Sequence, residues 1–238
     1  MPTRNPIIAA LDVPRLEQAE KLAKELAPAV GAFKIGKELF VAAGPEVVKR
    51  IRATGASVFL DLKFHDIPNT VARAVASACR LDVQMLTVHA SGGRQMMEAA
   101  ADSAKAHSRD PGTKSPVAPL VLGVTVLTSS NEATLAETGC VGGVEEQVIR
   151  LASLAVQSGL PGLVCSPREI SLLRKVLPRH IQLVTPGIRT GNEPPDDQKR
   201  TLTPREAIQA GADWLVVGRP ITAAPNPRAA AENILASL

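Results

Sequence analysis

Charged side chains lie inside or directly behind three short apolar runs in the first third of the chain. The first run ends in Asp12, the second carries Lys34, and the third contains Asp61 and Lys63 with Asp66 shortly behind. A strand interior is an unfavourable place for a charge unless an opposite charge pairs with it. Because alternate residues of a strand face the same side, Asp61 and Lys63 are predicted to lie together. The three runs therefore indicate one shared polar site.

A lysine held among carboxylates stays protonated, because each opposite charge favours the ionised form of its neighbour. At about 4 Å and an effective dielectric near 20, one such pair contributes roughly 4 kcal/mol before desolvation. Lys63 is therefore suited to stabilise negative charge that develops on a carbon atom and then to deliver a proton to that atom. The alternative is a structural ion pair between Asp61 and Lys63, which leaves the other charged residues unexplained.

Two later segments offer groups for binding an anion. The string VTPGIR ends at Arg189, and the string VGRPI contains Gly218 and Arg219. Gly218 allows the backbone to approach a ligand closely, and the guanidinium of Arg219 can donate two hydrogen bonds to a phosphate. An ordinary surface arginine behind a glycine turn is the alternative. We favour a phosphorylated small molecule as the substrate.

The apolar runs recur along the chain at a spacing of roughly thirty residues, the size of one strand–helix unit. Between them apolar residues return every three or four positions, as at Leu16 and Ala19 and at Val71 and Val75, which is typical of amphipathic helices. Eight such units predict one α/β domain, a (β/α)8 TIM barrel over residues 1–238. An open doubly wound sheet is the alternative, but no GxGxxG string follows the first run. The runs begin near Ile7, Ala32, Ser57, Met85, Pro119, Gly162, Gln182 and Trp214.

Two polar stretches are predicted to be loops. Residues 107–119 hold three prolines and a glycine and precede the fifth run, so we expect a surface excursion there. Residues 189–200 are polar, contain adjacent prolines and follow the seventh run. Because the catalytic groups of a barrel gather at the carboxyl ends of its strands, residues 189–200 are predicted to form a mobile lid over the site.

The composition excludes several classes of protein. Of the 238 residues 45% are apolar and 21% charged, which suits a globular fold. The 27 Lys and Arg residues are scattered and only five aromatic residues are present, which disfavours nucleic-acid binding. No run approaches the roughly 18 apolar residues that cross a bilayer, and the first six residues lack the apolar stretch of a signal peptide. We therefore expect a cytoplasmic protein with no membrane partner.

Several residues of potentially reactive type receive no catalytic role. Cys79, Cys140 and Cys165 lie far apart, form no CxxC pair and are expected to be buried free thiols. His89 ends the fourth run and is interpreted as a core histidine. His65, which follows the third run, is predicted to point away from Asp61 and Lys63.

Several strings together resemble the orotidine 5′-phosphate decarboxylase family. DLKFHDIPNT, from Asp61 to Thr70, resembles the signature of that family, and the likeness continues through ALD, FKIGKELF, VHASGG, VTVLTS, VTPGIR and VGRPI. The pattern DxKxxD alone occurs in a wider group of phosphate-binding barrels, whereas the longer strings are more specific. The resemblance implies a TIM barrel that converts orotidine 5′-monophosphate to uridine 5′-monophosphate in pyrimidine biosynthesis, without a metal or an organic cofactor.

The resemblance also implies roles for the charged residues named above. Lys63 is the proton donor to the pyrimidine carbon that loses its carboxylate, and Asp61 lies beside that departing carboxylate. Lys34 completes the charged network and contacts the ribose, which Asp12 also holds. Asp66 is also one of the implied catalytic residues. Together with Thr70 it reaches into the active site of a second subunit, which implies a homodimer with shared sites. The further substrate-binding residues are Ile67, Thr128, Pro186, Arg189, Gln198, Gly218 and Arg219.

Two other functions compete with this interpretation. A metal-dependent sugar-phosphate decarboxylase of the same barrel group, such as keto-gulonate phosphate decarboxylase, shares DxKxxD but has an acidic metal ligand on the second strand. This chain has Lys34 there, which repels a divalent cation. A non-catalytic phosphoribosyl-binding barrel is the second rival, but binding a phosphate requires none of Asp61, Lys63 and Asp66.

Overall fold

The computed structural model describes residues 5–109, 117–190 and 201–238. Within these ranges eight parallel strands pair in chain order, and the last pairs with the first, so that the sheet closes into a barrel. The strands are β1 (Ile7–Ala10), β2 (Ala32–Gly36), β3 (Ser57–Phe64), β4 (Met85–His89), β5 (Leu120–Val124), β6 (Gly162–Val164), β7 (Gln182–Thr185) and β8 (Trp214–Val217). The predicted TIM barrel is confirmed. Seven strands begin at the predicted residues, and β5 begins one residue after Pro119.

Helices connect each strand to the next around the outside of the barrel. They are α1 (Leu16–Leu26), α2 (Lys37–Ala43), α3 (Glu46–Arg52), α4 (Pro68–Cys79), α5 (Arg94–Ser108), α6 (Glu132–Glu137), α7 (Val144–Gln157), α8 (Ile170–Val176), α9 (Pro204–Ala210), α10 (Arg219–Thr222) and α11 (Pro227–Ala236). Two short 3₁₀ turns, Ala90–Gly92 and Pro167–Glu169, follow β4 and β6. No helix in the described part of the chain is long and apolar enough to span a membrane.

Two hydrophobic layers hold the barrel together. The inner layer fills the barrel itself and includes the large side chains of Phe59, Met85 and Trp214. The outer layer lies between the strands and the helices, where α1 buries Ala19 and Ala23 at the spacing of one helical turn. Because the strands are covered on both faces, they are almost continuously apolar, and the few charged residues near their ends stand out.

A nearly buried arginine joins the ends of β7 and β8 that lie opposite the candidate site. Arg174 of α8 donates hydrogen bonds to the carbonyl oxygens of Ile181 and Gly211 and pairs with the carboxylate of Asp213. The same carboxylate accepts a hydrogen bond from the backbone N–H of Leu183 at 2.6 Å. One side chain thus joins the segments that enter two neighbouring strands.

The structure tests the start of the first predicted loop and describes little of the second. Helix α5 continues to Ser108, so the prediction that the excursion begins at His107 is wrong by two residues. The reason is that the buried stripe of α5, which includes Ala100, Ala101 and Ala104, carries the helix past the point where polar residues begin. Residues 110–116 lie outside the described ranges, and so do residues 191–200, which make up most of the predicted lid.

Candidate active site

A cavity of about 500 Å³ opens at the carboxyl ends of the strands, where barrel enzymes carry their catalytic groups. Side chains from β1, β2, β3, β5, β6 and β8 and from the segments that follow the strands line it. The lining residues are Ala10, Asp12, Lys34, Phe59, Asp61, Lys63, Val124, Val126, Leu127, Thr128, Val164, Pro186, Gly187, Arg189, Val216, Gly218, Arg219 and Thr222. The volume is within the range of cavities that hold small-molecule ligands.

Asp61 and Lys63 form a close ion pair in this cavity, as predicted. The Nζ atom of Lys63 lies 2.7 Å from both carboxylate oxygens of Asp61. The side chain of Asp61 is 13% exposed and that of Lys63 is 23% exposed. The protein therefore covers most of the pair, and the part that remains exposed faces the cavity. A shielded pair of this kind interacts more strongly than one on the surface.

Asp12 and Lys34 form a second ion pair at the neighbouring strand ends. The backbone N–H of Leu11 donates to the carbonyl of Lys34, which keeps the ends of β1 and β2 level. Nζ of Lys34 then lies 2.8 Å from Oδ1 of Asp12. Within the described residues no ion pair joins Lys34 to Asp61, so the site holds two adjacent pairs.

Gly36 leaves room for the second ion pair. A Cβ atom at this position would lie 3.2 Å from Nζ of Lys34 and 3.5 Å from Oδ1 of Asp12. The backbone of Gly36 is extended, with φ of −88°, so a larger residue would crowd Lys34 without straining the backbone.

Two more cationic groups line the cavity behind the ends of β7 and β8. Arg189 follows β7, and Gly218 and Arg219 follow β8, with Arg219 as the first residue of α10. A Cβ atom on Gly218 would meet protein atoms only at 3.8 Å and beyond, so its absence leaves the space to a ligand. The lining carries four cationic side chains and two carboxylates, an excess that favours an anion.

The structure assembles most of the residues that were predicted to form the site. Asp12, Lys34, Asp61, Lys63, Thr128, Pro186, Arg189, Gly218 and Arg219 all line the cavity. Asp66, Ile67 and Thr70 do not; they are exposed residues behind β3 and in the first turn of α4. Oδ1 of Asp66 accepts a hydrogen bond from the backbone N–H of Ile67 at 2.7 Å. Gln198 lies outside the described residues.

Sequence reasoning missed the apolar wall of the cavity and one buried hydroxyl. The wall includes Val124, Val126, Val164 and Val216, which strand alternation could have placed on the inner face of the barrel. The hydroxyl belongs to Thr87 of β4, which is fully buried and contacts Asp61. A threonine in an apolar strand is common, so no sequence signal distinguishes it.

The residues that were set aside as non-catalytic lie outside the cavity. Burial raises the pKa of Cys79 to about 11 and that of Cys165 to about 12, so both thiols stay protonated near neutral pH. Cys140 is only half-buried, so that part of the thiol prediction is wrong. The rings of His65 and His89 lie 5.5 Å apart, and burial, with the neighbouring His65, lowers the pKa of His89.

Comparison with known proteins agrees with this geometry. A family model described as Orotidine 5′-phosphate decarboxylase / HUMPS family matches residues 5–234. Proteins named orotidine 5′-phosphate decarboxylase from Syntrophotalea carbinolica and Nitrosococcus oceani are 52% and 50% identical to this chain. Each alignment covers 98% of this chain, with 94% and 97% of the respective relative.

Solved structures of similar proteins have the same barrel. The crystal structure of orotidine 5′-phosphate decarboxylase from Lactobacillus acidophilus superposes with a TM-score of 0.85 at 39% identity and covers 98% of both chains. A second crystal structure of that name, from Pyrococcus horikoshii, superposes with a TM-score of 0.77 at 26% identity. It covers 97% of this chain and 98% of its own.

Proposed function

The chain belongs to the orotidine 5′-phosphate decarboxylase / HUMPS family, and we propose that it decarboxylates orotidine 5′-monophosphate to uridine 5′-monophosphate with Lys63 as the proton donor. The observation that carries the proposal is the Asp61–Lys63 pair in the cavity, with Nζ 2.7 Å from both carboxylate oxygens. The names of the relatives support the overall reaction, and the roles of individual residues are inferred from the geometry and from the resemblance of the DLKFHDIPNT string.

The charges of the cavity fit both ends of this substrate. Orotidine 5′-monophosphate has a phosphate at one end and a carboxylate on its pyrimidine ring. Arg219 and Arg189, with the open backbone at Gly218, suit the phosphate. The ring then extends over the apolar wall toward Thr128 and Lys63, and the ribose lies near Asp12 and Lys34. Phosphate binding far from the reacting carbon supplies binding energy that the transition state can use.

The proposed reaction at Lys63 uses protein side chains, the substrate and water. The bond between the ring carbon and the carboxylate breaks, carbon dioxide leaves, and the electron pair remains on the ring carbon. The ammonium of Lys63 stabilises that negative charge and transfers a proton to the carbon, which forms the new C–H bond. Lys63 is then a neutral amine and regains its proton from water. Asp61 holds the ammonium of Lys63 in place at 2.7 Å and lies beside the departing carboxylate.

The second ion pair argues against the metal-dependent rival. A divalent cation at the end of β2 needs an oxygen ligand, and this chain has an ammonium there, 2.8 Å from Asp12. Metal-free action is therefore part of the proposal, as is a cytoplasmic location. The binding-only rival leaves the shielded Asp61–Lys63 pair without a purpose, because phosphate recognition does not use it.

The proposal includes a homodimer in which Asp66 and Thr70 complete the partner's site. Asp66, Ile67 and Thr70 follow β3 within five residues of one another, are exposed, and do not line the cavity of their own chain. Ile67 is 67% exposed, so this segment is accessible to a second subunit.

The experiment that tests the function is the absorbance of orotidine 5′-monophosphate incubated with the purified protein in EDTA. We expect the orotate chromophore to disappear and uridine 5′-monophosphate to form at the same rate. No turnover by folded protein that binds the substrate favours the binding-only rival and contradicts the proposal. Turnover that returns only after magnesium is added favours the metal-dependent rival.

A further inference from the structure

We propose that Thr87 is a positioning residue that holds Asp61 and Lys63 in the arrangement that decarboxylation requires. The inference rests on the proposed function of the site and adds a residue to it. Thr87 lies on β4, is 0% exposed and does not line the cavity, so it acts only through the residues that it contacts.

The pairing of β3 with β4 is irregular where Thr87 lies. Leu60 pairs with Leu86, but the next paired residues are Phe64 and Val88. Three residues of β3 therefore stand opposite the single residue Thr87, which forms a β-bulge. Asp61 and Lys63 are the two ends of this bulged segment, and Lys63 has φ of +53°. Bulges re-aim side chains next to active sites, and this one directs the carboxylate and the ammonium to the same side.

The hydroxyl of Thr87 takes the place of the missing backbone pairing. Its Oγ1 accepts a hydrogen bond from the backbone N–H of Lys63 at 2.8 Å and donates one to Oδ1 of Asp61 at 3.0 Å. A hydroxyl has one proton, which here goes to Asp61, so Oδ1 has to act as an acceptor. The contact thus fastens the carboxylate of Asp61 to the backbone of Lys63, the residue with which it pairs.

A neighbouring threonine shows what a purely structural hydroxyl looks like. Thr125 follows β5, is 4% exposed, and its Oγ1 donates to the carbonyl of Val164 at 3.3 Å. It contacts neither Asp61 nor Lys63 and is absent from the cavity lining. Both threonines are therefore buried, but only Thr87 contacts the Asp61–Lys63 pair.

The test compares Thr87→Val, Thr87→Ser and the matched control Thr125→Val with the wild type. Valine keeps the shape of threonine and removes the hydroxyl, and serine keeps the hydroxyl. For each protein we would measure kcat with orotidine 5′-monophosphate, Kd for uridine 5′-monophosphate by calorimetry, and the hydrogen exchange of the Lys63 amide by NMR. The product lacks the carboxylate, so its binding reports on the rest of the site.

We expect kcat of Thr87→Val to fall on the order of 10- to 100-fold, because a small displacement of a reacting group has that effect, with Kd for the product changed by less than about threefold. Thr87→Ser recovers most of the lost kcat, and Thr125→Val retains the wild-type kcat. Wild-type kcat in Thr87→Val, no rescue by serine, or an equal loss in Thr125→Val overturns the inference.

Hydrogen exchange of the Lys63 amide tests the proposed hydrogen bond to Thr87 independently of enzyme activity. We expect the amide to be protected in the wild type and in Thr87→Ser and to exchange faster in Thr87→Val. Rapid exchange in the wild type contradicts the inference even if the enzyme is active. A wild type that protects this amide but does not decarboxylate the substrate refutes the proposed function and, with it, the proposed contribution of Thr87 to decarboxylation.

Discussion

Lys63 combines a charged side chain with a backbone conformation that residues other than glycine rarely adopt. Its φ of +53° lies in the left-handed region, where a side chain costs on the order of 1–2 kcal/mol. The backbone N–H bonds to Thr87, and the ammonium contacts both oxygens of Asp61, which offsets that cost. Backbone strain of this kind is typical of functional sites, where the exact position of a side chain matters more than the stability of the fold.

At the residue scale, Gly36→Ala tests how closely the second ion pair is fitted. The added methyl group lies 3.2 Å from Nζ of Lys34, so the flexible ammonium has to shift away from Asp12. We expect kcat/KM for orotidine 5′-monophosphate to fall about five- to tenfold through this displacement. We also expect the melting temperature to change little, because the backbone of residue 36 is extended and the neighbour can move.

Gly143→Ala is the matched control for that change. Gly143 also precedes a helix with an extended backbone, φ of −77°, but its added methyl group meets only Glu132, at 3.5 Å. An unchanged kcat/KM in both variants shows that Lys34 tolerates displacement, and the proposed role of the Asp12–Lys34 pair is then wrong.

Alternation along β3 predicted that Asp61 and Lys63 share a side, and the structure confirms the outcome by a different route. The prediction rests on a regular strand, whereas the two side chains lie at the ends of a bulge. No pattern in the sequence of β3 indicates that bulge. Thr87 was missed for the same reason: its role depends on which residue of β4 stands opposite that bulge. Pairing between strands is a property of the closed barrel, and it cannot be read from either strand alone.

At the element scale, the strands were predictable because both of their faces are buried. Short apolar runs bounded by polar residues are typical of such strands, and they located all eight. The connections were less predictable. Two helices, α2 and α3, follow β2 without a long loop between them, and α5 extends into the polar stretch before β5. Helix ends depend on packing against the barrel as well as on local composition.

Arg174→Ala tests how much the connection between α8, β7 and β8 contributes to stability. The variant leaves Asp213 without its cationic partner and the carbonyls of Ile181 and Gly211 without a donor. We expect the free energy of unfolding to fall by about 2–3 kcal/mol, since Arg174 is nearly buried and Asp213 is partly exposed. Because the contact lies at the opposite end of the barrel from the cavity, kcat should stay unchanged where the variant is folded.

Arg228→Ala provides the control for this measurement. Arg228 pairs with Glu232 one helical turn away, and about half of each side chain is exposed. Such pairs contribute up to about 0.5 kcal/mol. Denaturant titration of the wild type, Arg174→Ala and Arg228→Ala gives the loss of unfolding free energy in each variant. Equal stabilities of Arg174→Ala and the wild type contradict the structural role of Arg174.

At the scale of the whole molecule, closing the barrel is what creates the site. Asp12, Lys34 and Lys63 come from the first three strands, and Arg189 and Arg219 follow the last two. Closure brings the first and last strands side by side, so charges that are far apart in the sequence face one cavity. This is why the charged residues of the cavity could be predicted once a barrel was assumed, because it was enough to identify where each strand ends. Thr128 and Pro186 were predicted only through the family resemblance.

The shared site can be tested by mixing two inactive proteins. Lys63→Ala removes the proposed proton donor, and Asp66→Ala removes the group proposed to act in the partner's site. A heterodimer of the two contains one site with both residues intact, so random exchange at equal amounts should restore about a quarter of the wild-type activity. Differently tagged chains and native mass spectrometry establish that the subunits have exchanged. Exchange without recovery contradicts the shared site.

The most direct test of the central claim is the rate of uridine 5′-monophosphate formation by Lys63→Ala, measured in EDTA beside the wild type. We expect kcat to fall by about a thousandfold or more, because the variant loses both the proton and the positive charge at the reacting carbon. Affinity for uridine 5′-monophosphate should change far less, and Lys24→Ala, which breaks an exposed pair with Glu20, should match the wild type. Turnover that persists unchanged in Lys63→Ala would show that another group protonates the ring and that the Asp61–Lys63 pair is structural.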